Sequence, residues 1–228
     1  MRVGVLYSGG KDSTLALHEA SKNHKIACLI TISPKRDDSY MFHYPNVEFV
    51  KLQADSMRLP LIFRETTGEK EKELEDLEKA IAEAKNTYEI DGIVSGAVKS
   101  SYQATRIRRV CEKLNLQSLN PLWLRDEEKL LKEILRSFDA IITMVAAYPL
   151  TRDFLGKNLR EVYEDLSSLK RKFGLSLIGE GGEFETFVLD APLFKKRIKI
   201  EDFEIFYKDY RGIFLIKRAR LSEKPALL

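Results

Sequence analysis

The sequence predicts an α/β fold: a doubly wound parallel sheet with a second, smaller α+β domain. Three observations carry this. Apolar runs of strand length alternate with amphipathic helical stretches through the first half. A polar, glycine-rich turn, Ser8-Gly9-Gly10-Lys11-Asp12-Ser13, joins the first run to the first helix. Near residue 124 the alternation stops, and strand-like segments with few helices between them follow.

Residues 3–7 read as a buried strand, 13–23 as a helix and 26–32 as a strand. The stretch Ser33-Pro34-Lys35-Arg36-Asp37-Asp38-Ser39 is polar and turn-rich and reads as a loop. Residues 46–58 carry Val47, Val50, Ala54 and Met57 on one helical face, with Asn46 as the expected N-cap. A short strand at 61–63 precedes a long charged helix, 69–88, whose apolar stripe is Leu74, Leu77, Ala80, Ile81 and Ala84. A strand at 92–95, a helix at 101–114 and a short strand at 117–119 complete the first domain, residues 1–124. In residues 125–228, helices are expected at 126–137 and 158–172, and strands at 140–147, 186–189, 198–206 and 212–221. No internal repeat or low-complexity segment is visible.

The composition excludes several function classes. Lys plus Arg number 38 against 35 Asp plus Glu, a net of +3, which implies no polyanion partner. Residues 194–220 hold nine basic and four acidic groups, which a solvated strand face explains more simply than nucleic-acid binding. The charged content of 32%, rich in Lys and Glu and poor in Gln, fits a thermophile. No apolar run reaches membrane-spanning length, and Met1 stands directly before the first strand, so neither a membrane nor a signal peptide is expected. Two cysteines, Cys28 and Cys111, both in apolar patterns, supply neither a disulfide framework nor a metal-binding pair. The expected setting is reducing and cytoplasmic.

Strand, glycine turn and helix N-terminus together make an anion site, because free backbone N–H groups and the helix dipole point at the ligand. Gly9 and Gly10 let the main chain approach, Ser8 and Ser13 add hydroxyls, and Lys11 adds a positive charge. The glycines are adjacent and Asp12 follows Lys11, so this is not a Walker A loop. The pattern resembles the PP-loop of the ATP pyrophosphatases, which cleave ATP to AMP and pyrophosphate.

Polar loops through Ser39-Tyr40-Met41-Phe42-His43 and Gly96-Ala97-Val98-Lys99-Ser100 also follow strand ends and are expected at the same crevice. A second constellation, Gly179-Glu180-Gly181-Gly182-Glu183-Phe184-Glu185-Thr186, packs three carboxylates and three glycines into eight residues. Such carboxylates can hold Mg²⁺, bind an ammonium or act as bases. A solvated surface turn is the alternative. Against it, Leu175-Ser176-Leu177-Ile178 and Thr186-Phe187-Val188-Leu189 flank the cluster as structured segments.

These segments, with Tyr102-Gln103, Arg106, Cys111 and Asp190-Ala191-Pro192-Leu193-Phe194, occur in an order that resembles the diphthine–ammonia ligase family in its short archaeal form. Phe184 departs from the family pattern, where Tyr is common. The resemblance implies a ligase that uses ATP and ammonium to turn the carboxylate of diphthine on translation elongation factor 2 into an amide. The acid would pass through an acyl adenylate and release AMP and pyrophosphate.

By the same resemblance Ser8, Gly9, Gly10, Lys11, Asp12 and Ser13 would hold the phosphates, with Asp12 on Mg²⁺. Ser39, Met41 and His43 would lie by the adenosine, and Gly96 and Ala97 by the α-phosphate. Tyr102, Arg106, Glu180, Gly181, Gly182, Glu183, Glu185 and Thr186 would meet the acceptor. Lys11, Asp12, Glu183 and Glu185 are the catalytic candidates. No stable nucleic-acid partner is implied, and a homo-oligomer is left open. Two other readings stand beside this one: a PP-loop enzyme that adenylates another carboxylate or an RNA, and an ATP-binding regulatory module without chemistry.

Overall fold

The computed structural model describes residues 1–34, 46–67 and 70–224. The first sheet contains β1 (Arg2–Leu6), β2 (Lys25–Pro34), β3 (Leu61–Thr66), β4 (Gly92–Val94) and β5 (Gln117–Leu119). All pairings are parallel, in the order β3-β2-β1-β4-β5. The chain builds outward from β1 to β3, then crosses back to β4. The order therefore reverses between β1 and β4, which is where α/β sheets of this kind open a ligand crevice.

Helices α1 (Lys11–Ser21), α2 (Val50–Met57), α3 (Lys70–Tyr88) and α4 (Ser101–Lys113) connect these strands. Helices cover both faces, so the strands need apolar residues on both sides. Val3 and Val5 of β1 are fully buried, as are Leu29 and Ile30 on successive positions of β2. One face packs Leu77, Ile81 and Ala84 of α3 and Val110 and Cys111 of α4 against Ile30, Ile62 and Ile93.

The second sheet is antiparallel. It holds β6 (Asp139–Val145), β7 (Phe184–Asp190), β8 (Arg197–Lys208) and β9 (Arg211–Ser222) in the order β7-β6-β9-β8. Helices α5 (Glu127–Ser137) and α6 (Tyr163–Phe173) accompany it. Asp126 caps α5 by accepting from the Lys129 N–H at 2.9 Å. One apolar core runs from Val3 and Val5 through Leu15 and Leu17 of α1 to Phe184, Phe187 and Val188 of β7. This core fixes the N-terminus of α1 against the second sheet. Among the described residues no helix is long and apolar enough to cross a membrane.

Two local expectations differ from the structure. Asn46 is not a side-chain cap: it has a left-handed φ of 69° ahead of a 3-10 turn, Val47–Phe49, and α2. Its amide instead bridges to β9, donating to the Phe214 carbonyl at 2.9 Å and accepting from the Ile216 N–H at 2.7 Å. The helix expected at 158–172 starts only at Tyr163. Asn158 pairs with Ile141 as an isolated bridge, and the Leu159 N–H donates to the Ala140 carbonyl at 2.9 Å. Leu159 and Val162 are buried all the same, so the apolar spacing could not separate the two cases. Residues 175–178, expected as a structured flank of the carboxylate cluster, bury Leu175, Leu177 and Ile178 without forming a strand.

Candidate active site

The turn after β1 is built on glycine. Gly9 has φ +84°, and a Cβ there would lie 2.6 Å from Gln53 Oε1. Its carbonyl accepts from the Val188 N–H of β7 and from Gln53 Nε2, both at 3.0 Å. Gln53, fully buried, also donates to the Val188 carbonyl at 2.7 Å, so this turn is tied to the second sheet.

Helix α1 then starts at Gly10 without a side-chain cap. The Lys11 N–H donates to Thr186 Oγ1 at 3.1 Å, and the first intrahelical bond is from Thr14 N–H to Gly10. The Asp12 and Ser13 N–H groups precede that bond, so the dipole's positive end faces the crevice. Ser8 and Ser13 hydroxyls stand 3.0 Å apart beside it. The loop after β4 lies directly on this helix end: a Cβ on Gly96 would come within 2.8 Å of the Ser13 nitrogen and 2.9 Å of the Asp12 carbonyl carbon.

A cleft of about 270 Å³ opens here. Ser8, Gly10, Lys11, Asp12 and Ser13 line one wall, Ser95, Gly96, Ala97 and Ser100 a second, and Glu180, Gly182, Glu185 and Thr186 a third. Gly9, Gly181 and Glu183 do not line the cleft. Ser39, Met41 and His43 lie outside the described residues. Sequence reasoning missed the apolar lining from Ile30, Ile32 and Ile107, and the amide of Gln103. A signal existed: Ile30 and Ile32 share one face near the C-terminal end of β2, and Gln103 and Ile107 share one face of α4. Tyr102 and Arg106 sit one position away on that helix and do not line the cleft. The Arg106 guanidinium carbon stands 3.7 Å from the Tyr102 ring centroid, so a cation already covers one face of the ring.

The three carboxylates have different occupations. Glu180 accepts from the N–H groups of Lys99 and Ser100, at 2.7 and 2.8 Å, and holds the start of α4. Glu183 uses both oxygens inside its own turn, accepting from Ser176 N–H at 3.0 Å and Gly181 N–H at 2.8 Å. Among the described residues no hydrogen bond holds Glu185. Burial pushes the Glu185 carboxyl up to about 8; the Lys11 charge opposes this, and Asp12 and Glu180 add to it.

Lys11 is itself buried. Its ammonium donates to Asp12 Oδ2 at 2.7 Å and to the Ile178 carbonyl, and lies 5.4 Å from the centre of the Phe184 ring. Asp12 Oδ1 is buried and, among the described residues, has no hydrogen-bond partner.

Glu127, at the start of α5, ties the surrounding loops together. It accepts from Lys99 Nζ at 2.6 Å, the Leu177 N–H at 3.2 Å and Lys170 Nζ at 3.4 Å. Burial works to raise its pKa, but the Lys99 hydrogen bond, the Leu177 N–H and the Lys170 charge outweigh it and leave the carboxyl below its usual range. Cys28 and Cys111 are both buried away from the cleft; burial pushes their thiols up to about 12 and about 11.

The N-terminus of α1 thus faces a carboxylate-rich turn from the second sheet across one cleft. Comparison with known proteins adds the decisive observation. Residues 1–118 match the family model described as the diphthamide synthase N-terminal domain, and residues 126–222 match the model of the diphthamide synthase C-terminal domain. The chain belongs to the diphthamide synthase family.

Curated members named diphthine–ammonia ligase align with it along nearly its whole length. The Rattus norvegicus protein is 40% identical over 243 residues, covering 97% of this chain and 91% of that protein. The Homo sapiens protein is 38% identical over 226 residues, covering 90% and 85%. The Schizosaccharomyces pombe protein is 39% identical over 246 residues, 99% of this chain but 40% of that longer protein. The chain thus corresponds to most of the mammalian ligases and to a part of the fission-yeast one.

Proposed function

We propose that the chain is an AMP-forming diphthine–ammonia ligase whose residues 1–124 hold ATP and whose residues 125–228 meet the diphthine carboxylate of translation elongation factor 2. One observation carries the reading: the dipolar N-terminus of α1, Lys11 and the carboxyl of Glu185, which has no hydrogen bond among the described residues, line the same cleft.

A carboxylate is a poor electrophile. Its oxygen attacks the α-phosphorus of ATP, the bond to the β-phosphate breaks, and pyrophosphate leaves. The departing charge falls on the Asp12 and Ser13 N–H groups, the Ser8 and Ser13 hydroxyls and the Lys11 ammonium. Gly96 and Ala97, on the cleft wall beside the helix end, would meet the α-phosphate, and Ile30, Ile32 and Ile107 would offer an apolar shelf for the base.

Ammonia then attacks the acyl carbon and AMP leaves. Glu185 takes the proton that ammonium must lose first, and Glu183 and Glu180 hold the turn and the facing loop in place. The buried, unpartnered Oδ1 of Asp12 suits Mg²⁺, which prefers one or two carboxylates plus phosphate oxygens and would neutralise charge on the phosphates. Among the described residues no three His, Cys, Asp or Glu side chains group as a metal site of their own. Cys28 and Cys111, as buried free thiols, support a reducing, cytoplasmic setting.

Product analysis tests the reading. Pyrophosphate should form only when diphthine-bearing elongation factor 2 is present, and steady release of AMP should require ammonium as well. ADP with orthophosphate would overturn it.

A further inference from the structure

Three exposed aromatic rings meet at one end of the second sheet. Tyr148, Phe173 and Tyr210 are 60%, 51% and 42% exposed, high values for large apolar side chains. Tyr148 packs edge-to-face on both partners, 5.5 Å from Phe173 and 4.9 Å from Tyr210 between ring centres. The rings come from three places far apart in sequence: the segment after β6, the last residue of α6 and the tip of the β8–β9 hairpin.

The position of the cluster gives it meaning. The Ala146 N–H donates to the Glu183 carbonyl at 2.8 Å, so the chain reaching Tyr148 leaves β6 beside the carboxylate turn. Phe173 precedes Ser176, whose N–H binds Glu183. Gly212, two residues beyond Tyr210, pairs with Val145 at the end of β6. All three rings therefore lie at the sheet end that carries the acidic wall of the cleft. Arg171, Lys172, Lys208 and Arg211 are exposed within two residues of Phe173 or Tyr210 in the chain, and among the described residues none of the four forms an ion pair. Within 170–173 and 208–211 the one acidic residue is Asp209.

We propose that this aromatic face, with its four unpaired cations, docks the folded acceptor protein through an apolar patch with an acidic rim next to the side chain being amidated. The proposal rests on the reading above, in which the acceptor carboxylate belongs to a protein. A single side chain entering the cleft buries little area, whereas a specific protein complex buries on the order of 1,200 Å² or more. Exposed Tyr, Phe and Arg are the residues that supply the centre of such interfaces. The rings pack edge-to-face into one patch rather than standing as parallel platforms for successive bases, so they fit a protein better than RNA.

The test compares two acceptors, folded diphthine-bearing elongation factor 2 and a short diphthine peptide, under steady-state amidation. Two variants are used: Phe173→Ser with Tyr210→Asn, where Asn tolerates the φ of 60° at that position, and Lys172→Glu with Lys208→Glu. Each should raise KM for the folded acceptor about tenfold or more and leave KM for ATP and turnover of the peptide near wild type. The charge variant should also flatten the salt dependence of the folded-acceptor KM. An unchanged KM for the folded acceptor in both variants, with wild type active, would overturn the docking face alone. A wild-type enzyme that amidates neither acceptor would overturn the underlying reading and the docking face with it. Loss of binding to a tRNA mixture in the variants, with acceptor KM unmoved, would reassign the face to RNA and overturn the proposal.

Discussion

Glu183 and Glu185 are two residues apart and chemically identical, yet their surroundings separate their work. Among the described residues no hydrogen bond holds the Glu185 carboxyl, and burial pushes it up to about 8, so it is mostly protonated at neutral pH. In the proposed role of base it would act only as pH rises through that value. Amidation should rise with pH through about 8 in the wild type, beyond the increase that the free-ammonia fraction alone gives. Glu185→Gln should lose that inflection and about 10²-fold in amidation, while ATP affinity stays near normal.

Stability provides a second readout. The raised carboxyl means the folded state holds a proton that the unfolded state releases, so this group's contribution falls as pH rises from about 4.5 to about 8. The wild type should lose melting temperature relative to Glu185→Gln across that window, measured by thermal scans at several pH values. Glu183→Gln should behave differently. It turns one acceptor into a donor facing an N–H, at a cost of about 1–3 kcal/mol. Its signature is a lower denaturation midpoint, with any surviving activity keeping the wild-type pH profile.

At the scale of elements, the N-terminus of α1 depends on two neighbours that touch it from opposite sides. Gly96 brings the loop after β4 against the Ser13 and Asp12 backbone, where a Cβ would stand at 2.8 and 2.9 Å. Gly96→Ala should displace that loop and weaken ATP binding about tenfold or more, as isothermal titration with a non-hydrolysable analogue would measure. Thr186 accepts from the Lys11 N–H at 3.1 Å from the other side. Thr186→Val removes that acceptor and should cost about 1 kcal/mol of stability, read from denaturant unfolding.

Periodicity alone carried most of the element order, because the parallel strands are continuously apolar and the helix stripes are regular. It failed where a polar side chain had a distant partner. Asn46 has the composition of an N-cap, but Phe214 and Ile216, which take its amide, are far away in sequence. Residues 158–162 keep helical spacing while bonding to β6.

At the scale of the molecule, two sheets share one core, and a few long-range polar bonds set the cleft between them. Glu127 holds Lys99 from the first sheet's loop and Leu177 from the second part's turn. Gln53 joins Gly9 to Val188 in the same way. The residue types at the cleft were legible in the sequence, since glycines, serines and clustered carboxylates announce a turn that meets a ligand. Their division of labour was not, because it depends on which backbone N–H each oxygen reaches.

The central claim is that this cleft joins ATP cleavage at the α-phosphate to amide formation on a protein carboxylate. The most direct measurement incubates the purified chain with ATP, diphthine-bearing elongation factor 2 and isotopically labelled ammonium, following nucleotide products and the acceptor's mass together. The account predicts one AMP per labelled amide, with label from ammonium. ADP as the nucleotide product, or label that arrives from glutamine but not from ammonium, would contradict it.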